Sequence, residues 1–237
     1  MEIALSSFSN TGPRASNQDR VLLPSVHEGV QFVAAIADGI GGAAGGGEAA
    51  EIAINAVSMN AGNPADLGNA FSMALATLKE TAEQNVDYAK MGTTLSIGML
   101  KDGIIHVAHV GDTRIYHLRG LGLNTLTRDQ TEIAELMRKG VLTENQAKRY
   151  PRRNVLLSAL NPEGKYEIHF KQAKLEIGDR ILFTTDGVHQ RVKRGGILQS
   201  SMEHADIAEF ISDIEHRTAK ADPSDNFSAI GMQILAL

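Results

Sequence analysis

The succession of apolar segments in this chain predicts an α+β fold, with antiparallel sheets and helices kept apart from the strands. Three observations point there. Strand-length apolar runs gather in three stretches, early, middle and late in the sequence. Two helical segments follow one another directly between the first two stretches. The regular strand–helix–strand alternation of a doubly wound parallel sheet is missing.

Residues 3–9 and 19–23 read as short strands, and 31–37 (QFVAAIA) as a stronger one. That run stops at Asp38-Gly-Ile-Gly-Gly42, and glycines continue to Gly47. From Gly47 to about Ala61 the spacing is helical, with Ala49, Ile52, Ala53, Ala56 and Val57 on one face; Asn63-Pro64 breaks it. A second helix is predicted from Asp66 to about Tyr88, with the stripe Leu67, Ala70, Phe71, Ala74, Leu75 and Leu78. The period then changes. Residues 93–100, 104–110 and 113–118 are three short strands punctuated by Lys101-Asp-Gly103 and Gly111-Asp112, with 123–126 as a fourth; they read as an antiparallel meander. Residues 129–153 are polar and form two predicted helical pieces, 131–139 and 143–149, about Gly140; they read as a surface flap. Strands return at 167–175 and 180–185, a helix follows at 204–219, and a last strand spans about 227–235.

At 237 residues the chain is expected to be one domain, 1–237, with the flap as a subdomain, and is long enough to bury a large core. It has no cysteine, which excludes disulfides, zinc–thiolate sites and a cysteine nucleophile together. The net charge is −5, without the basic footprint of a nucleic-acid binder. No apolar run approaches the about 18 residues a membrane span needs, and the first residues lack a basic region and a long apolar stretch, so no signal peptide is expected. The expectation is a cytoplasmic monomer that binds neither nucleic acid nor membrane.

The chemistry signal is a set of aspartates at predicted strand ends beside glycine or asparagine: Asp19, Asp38, Asp112, Asp186 and Asp225. A strand end lets a carboxylate project into a cleft while the apolar run anchors the backbone. A following glycine lets a backbone carbonyl approach a ligand closely. Asp-Gly is also a common turn dipeptide. Several carboxylates in one cleft repel one another, and either protonation or a divalent cation relieves the repulsion. Hard oxygen donors without His or Cys suit Mg²⁺, Mn²⁺ or Ca²⁺ rather than zinc.

In order along the chain, Arg14-Ala-Ser-Asn-Gln-Asp19, Ala37-Asp-Gly-Ile-Gly-Gly42, Gly92-Thr-Thr94, His109-Val-Gly-Asp-Thr-Arg114, Leu126-Thr-Arg-Asp129, Phe183-Thr-Thr-Asp-Gly187 and Asp225-Asn226 resemble the motifs of the metal-dependent serine/threonine phosphatases of the PPM family, also called PP2C-like. The resemblance implies a four-layer αββα sandwich with a binuclear Mn²⁺ or Mg²⁺ site at one edge. It implies that Asp38 bridges the two ions and that Asp186 and Asp225 hold the first. The Gly39 carbonyl then sits on the second, with Asp19 nearby, Asp112 helps hold a third, weaker ion, and Arg14 grips the substrate phosphate. The implied reaction is direct attack of water on a phosphoserine or phosphothreonine monoester of a protein substrate, opposing a bacterial serine/threonine kinase. Three positions depart from the family pattern. Ile40 stands where many eukaryotic members carry a histidine, Gln130 replaces another histidine, and Gln18 replaces a glutamate.

Rival readings are weaker. Gly39-Ile-Gly-Gly-Ala-Ala44 fits a dinucleotide-binding fingerprint, but Asp38 would repel the pyrophosphate and no acidic residue ends a second strand near 58–60. Gly41–Gly47 is not a P-loop, because Glu48 stands where lysine is required. Of the histidines, only His109 is expected near the site. Lys148, Arg149, Arg152 and Arg153 are either a solvated face of the flap or a patch that attracts an acidic or phosphorylated substrate segment. A regulatory module that binds a phosphoprotein without turnover is the non-enzymatic alternative.

Overall fold

The computed structural model describes residues 1–27, 29–40, 45–60 and 62–237. Residues 41–44 of the glycine cluster, within the dinucleotide-like fingerprint, lie outside the described residues. The strands are β1 (Glu2–Asn10), β2 (Asp19–His27), β3 (Val30–Ile40), β4 (Gly92–Thr93), β5 (Leu95–Lys101), β6 (Ile104–Val110), β7 (Arg114–Arg119), β8 (Gly122–Thr125), β9 (His169–Lys174), β10 (Arg180–Thr184) and β11 (Phe227–Ala236). The helices are α1 (Gly46–Asn60), α2 (Leu67–Gln84), α3 (Glu132–Arg138), α4 (Glu144–Ala147), α5 (Asp186–His189), α6 (Arg194–Glu203) and α7 (Ile207–Lys220).

The strands form two antiparallel sheets. One runs β1-β11-β10-β7-β8, the other β2-β3-β5-β6-β9 with β4 paired to β3. Three apolar cores separate four layers, as the alternation of side chains along a strand requires. On β3, Val33, Ala35 and Ala37 face Ala49, Ala53, Val57, Phe71 and Leu78 of α1 and α2. The intervening Ala34 and Ile36 face the other sheet, where they meet Phe183, Ile115, Ile181 and Ile230. On the far side, Leu182, Ala229 and Tyr116 pack beneath Ile207, Phe210, Ile211 and Ile214 of α7. Each fully buried Val, Leu, Ile or Phe side chain among these contributes about 1.5–3 kcal/mol.

Three expectations need correction. The middle strands are not one meander. The chain leaves the second sheet after β6 and enters the first at β7, and Gly111 makes that passage at φ +109. A glycine tolerates that angle where other residues are strained. The second helix ends at Gln84 rather than near Tyr88. Asn85 adopts an extended conformation and its side chain accepts from the Asp87 N–H, starting a separate 3₁₀ turn. The segment before α7 carries two unforeseen helices, α5 and α6. Helix α6 buries only Ile197 and Ser200, so it has no apolar stripe to read. His204 stays extended, and α7 begins at Ile207 because Asp206 caps the Ala208 and Glu209 N–H groups.

The registers decide where the aspartates fall. Asp19, first in β2, pairs with Asp38 near the end of β3. Thr184, last in β10, pairs with both Arg114, first in β7, and Ala229 near the start of β11. Asp38, Asp112, Asp186 and Asp225 therefore come to the same edge of the sandwich as Asp19.

Candidate metal centre

Hydroxyl groups of the first sheet seal this edge to the second. Thr185 Oγ1 donates to Asp19 Oδ2 (2.9 Å), and Ser228 Oγ donates to the same oxygen (2.7 Å). The other oxygen, Oδ1, is buried and has no hydrogen-bond partner among the described residues, and Asp19 is only 3% exposed. An orphaned carboxylate oxygen costs folding free energy unless a cation meets it.

The five carboxylates act on one another electrostatically. Burial, and then the charges of Asp19, Asp186, Asp112 and Asp225, push the Asp38 carboxyl well above its usual range. Burial raises Asp112 to about 8, with repulsion from Asp186 and Asp129 adding to it. Burial and the Asp225 charge raise Asp186 to about 6. Asp19 rises to about 7, again chiefly by burial, against the pull of its two hydroxyl donors. Oxygen donors alone, one of them unsatisfied, fit hard divalent cations. The sequence-predicted aspartates are thus brought together.

The backbone beneath them is fixed. Asp38 N–H donates to Thr94 Oγ1 (2.9 Å), and the Asp38 carbonyl accepts from Thr94 N–H (2.9 Å) and Thr93 Oγ1 (3.0 Å). The two glycines after the aspartates are explained by packing. A side chain at Gly39 would collide with the Gly46 carbonyl at the start of α1, and one at Gly187 with the Asn226 carbonyl.

Arg14 also reaches the site. Its Nη2 donates to Asp225 Oδ2 (2.7 Å) and its Nε to the Ser224 carbonyl (3.2 Å). The rest of this exposed planar fork is free of the ion pair. Asn226 shapes the loop that carries Arg14. Its Nδ2 donates to the Thr11 and Ser16 carbonyls, and its Oδ1 accepts from Gln18 N–H.

Behind Asp112, Arg114 and Asp129 form a two-bonded pair (2.8 and 2.6 Å), and Arg114 Nη1 donates to Tyr116 Oη (3.2 Å). His109 is fully buried there. Its Nε2 faces the Arg128 carbonyl (3.1 Å) and so carries the proton. Its Nδ1 then accepts from Ser96 Oγ (2.7 Å), which accepts in turn from Thr113 Oγ1 (2.7 Å). Gln130, at the family's histidine position, braces the same turn. Its Oε1 accepts from Gly111 N–H (2.7 Å) and its Nε2 donates to the Glu167 carbonyl (2.7 Å).

Sequence reasoning gave no role to the supporting groups Thr185, Ser228, Asn226 and Gln190, whose Nε2 donates to Asp186 Oδ2 (2.8 Å). Thr185 and Asn226 adjoin motif aspartates, which was the only available signal. A groove of about 840 Å³ between the flap and β9 is lined by Asp129 but by none of the five clustered aspartates. A second acidic group, Glu203, His204 and Asp213, is bridged by Arg217, which donates to Glu203 (2.7 Å) and Asp213 (2.6 Å).

A four-layer sandwich whose edge gathers carboxylates for divalent ions defines a class of metal-dependent hydrolases, and the comparisons with known proteins agree. The protein phosphatase 2C family model matches residues 9–228. A serine/threonine phosphatase, stp, of Listeria monocytogenes is 32% identical over 172 residues, 68% of each chain. The phosphatase PhpP of Streptococcus pneumoniae is 28% identical over 206 residues, 79% of each chain. The crystal structure of the serine/threonine phosphatase PstP of Mycobacterium tuberculosis superposes with a TM-score of 0.89 at 26% identity, over 99% of each chain. A PstP catalytic domain in complex with two manganese ions gives a TM-score of 0.86 at 25% identity, again over 99% of each. This chain belongs to the protein phosphatase 2C family of metal-dependent serine/threonine phosphatases. The αββα expectation holds, and no described helix is long and apolar enough to cross a membrane.

Proposed function

We propose that this chain hydrolyses phosphoserine and phosphothreonine monoesters of protein substrates by direct attack of water. The observation that carries the reading is the buried, unsatisfied Asp19 oxygen among four further carboxylates at one sheet edge. Asp38, Asp186 and Asp225 would hold the first of two Mn²⁺ or Mg²⁺ ions. Asp38, the Gly39 carbonyl and Asp19 would hold the second, and Asp112 a third, weaker one. Bound there, such ions make hydroxide available at neutral pH and neutralise charge on phosphoryl oxygens. Arg14 is placed to offer its planar fork to the substrate phosphate. The Asp38 backbone, fixed by Thr93 and Thr94, keeps its carboxylate from moving with the substrate. The water oxygen bonds to phosphorus as it gives up a proton, the ester P–O bond breaks, and the leaving alcohol takes its proton from water or another group, because Ile40 offers none.

In the cell the reaction would oppose a serine/threonine kinase in the cytoplasm, and the chain would act as a monomer of one domain. The test is hydrolysis of p-nitrophenyl phosphate and a phosphothreonine peptide, with EDTA and with Mn²⁺, by wild type and Asp38→Asn. Activity that needs Mn²⁺ and collapses in the variant supports the reading. A wild type that binds Mn²⁺ and the phosphopeptide without turnover favours the non-catalytic module.

A further inference from the structure

Beside the aspartate edge lies a group of cations without acidic partners. Arg191 Nη2 donates to Ser224 Oγ (2.9 Å), while Arg14 Nε donates to the carbonyl of the same Ser224 (3.2 Å). Two guanidinium groups therefore flank one residue, the neighbour of Asp225. Lys193 Nζ donates to the Gln190 carbonyl (2.6 Å), and Gln190 holds Asp186. Arg153, from the end of the flap, lies within electrostatic reach: burial, and then the charges of Arg114, Arg191 and Arg153, disfavour the Lys193 ammonium.

The other cations nearby are engaged. Arg114 is bound by Asp129, Arg152 by Glu132 (2.6 Å), and Arg194 by Thr125 and the Leu123 carbonyl. Among the described residues, Arg191, Lys193 and Arg153 make no ion pair. Mutual repulsion is unfavourable in the free protein and is relieved by an anion.

We propose that Arg191, Lys193 and Arg153 form a second anion subsite, which selects phosphoproteins carrying a further anionic group close to the phosphorylated residue. The proposal rests on the phosphatase reading and names its substrate class. An acidic side chain and a second phosphate share the required chemistry. The phosphoryl group to be cleaved faces Arg14 and the aspartates, and the flanking anion lies across Ser224, against Arg191 and Lys193. The Lys148–Arg153 patch accordingly contributes through Arg153 and not through Arg152, which Glu132 neutralises.

The test uses the full chain and phosphothreonine peptides of equal length with neutral, glutamate or phosphoserine flanks. Wild type should show kcat/KM about tenfold higher on both anionic peptides than on the neutral one, with the difference in KM. Arg191→Glu with Lys193→Glu should bring that ratio to one or below, and Arg191→Lys should keep most of it. Arg153→Ala should lower it about twofold. The wild-type preference should also fade as salt shortens the Debye length from about 10 Å at 0.1 M to about 3 Å at 1 M. Fluorescence anisotropy of the labelled peptides without metal should give the same order of affinities. A preference confined to the phosphoserine peptide assigns the subsite to a second phosphate, and one shared by both anionic peptides assigns it to anions in general. A wild type that treats all peptides alike, or a ratio unchanged by the double reversal or by salt, overturns the proposal. If anisotropy keeps its order while no peptide is hydrolysed, the phosphatase reading fails and the subsite stands.

Discussion

Replacing Asp19 by asparagine should stabilise the metal-free protein and weaken its response to manganese. The carboxyl is 3% exposed, accepts two hydroxyl hydrogen bonds on Oδ2 and none on Oδ1, and is repelled by Asp186 and Asp225. Its folded value of about 7 lies above the ordinary 3.8. Between those values the unfolded chain has already lost a proton that the folded chain keeps. Stability from this group is therefore present at low pH and is lost as pH rises through about 7. The full interval corresponds to about 4 kcal/mol. An asparagine keeps the two accepted hydrogen bonds and turns donors toward the remaining carboxylates, but it retains the cost of burying an amide. A net gain of about 2 kcal/mol at pH 8 is the reasonable expectation, or about 4–8 °C in Tm for a chain of this size. With Mn²⁺ at a hundred times its Kd, wild type should gain about 3 kcal/mol per site, and the variant markedly less. Urea denaturation at pH 5 and pH 8, with EDTA and with Mn²⁺, reads all four cases. A variant less stable than wild type in EDTA at pH 8, with an unchanged Mn²⁺ shift, would refute the reasoning.

Other expected outcomes are as direct. Arg14→Ala should lower kcat/KM for a phosphopeptide by about tenfold to a hundredfold, the range for losing hydrogen bonds to a charged group, and leave Tm nearly unchanged because its pair with Asp225 is half-exposed; unchanged kinetics would remove Arg14 from phosphate binding. His109 is buried as the neutral ring, with burial lowering its value to about 4. The unfolded histidine takes up its proton first as pH falls, so about 3 kcal/mol of stability should drain between about pH 6.5 and pH 4, a slope that His109→Gln should reduce in acid titrations of stability. Asp179 accepts from His117 (2.8 Å), from Arg119 twice (2.7 Å each) and from Glu176 N–H (2.8 Å). Asp179→Ala should cost about 3 kcal/mol, the lower end for a buried partner because Arg119 can rehydrate; calorimetry showing a Tm within 2 °C of wild type (against the roughly 6–12 °C expected) would contradict it. Phe183→Ala, between the sheets, should cost about 3–5 kcal/mol in the same experiment.

Much of this was written in the linear chain. The unbroken apolar run of β3 and the stripes of α1 and α2 are local properties, so they showed strands and segregated helices. The five aspartates were legible because each stands at a predicted strand end beside glycine or asparagine, and Asp38, Asp112 and Asp186 end or interrupt an apolar run. Fixed motif order made the family legible as well. Hidden from the sequence were the relations between segments. That β6 and β7 part into different sheets depends on the Gly111 turn and on which face each strand can bury, and adjacent apolar runs look alike either way. Helix α6 has no stripe to announce it. Only the fold shows that Thr185 and Ser228, from the first sheet, close on Asp19 of the second. The same holds for the glycines after Asp38 and Asp186, which admit a neighbouring carbonyl of this chain, and for Arg191, Lys193 and Arg153, which share a rim. Local sequence sets what each segment can become. Which charges face each other is set by packing between residues far apart in the chain, such as Arg14 and Asp225, 211 residues apart.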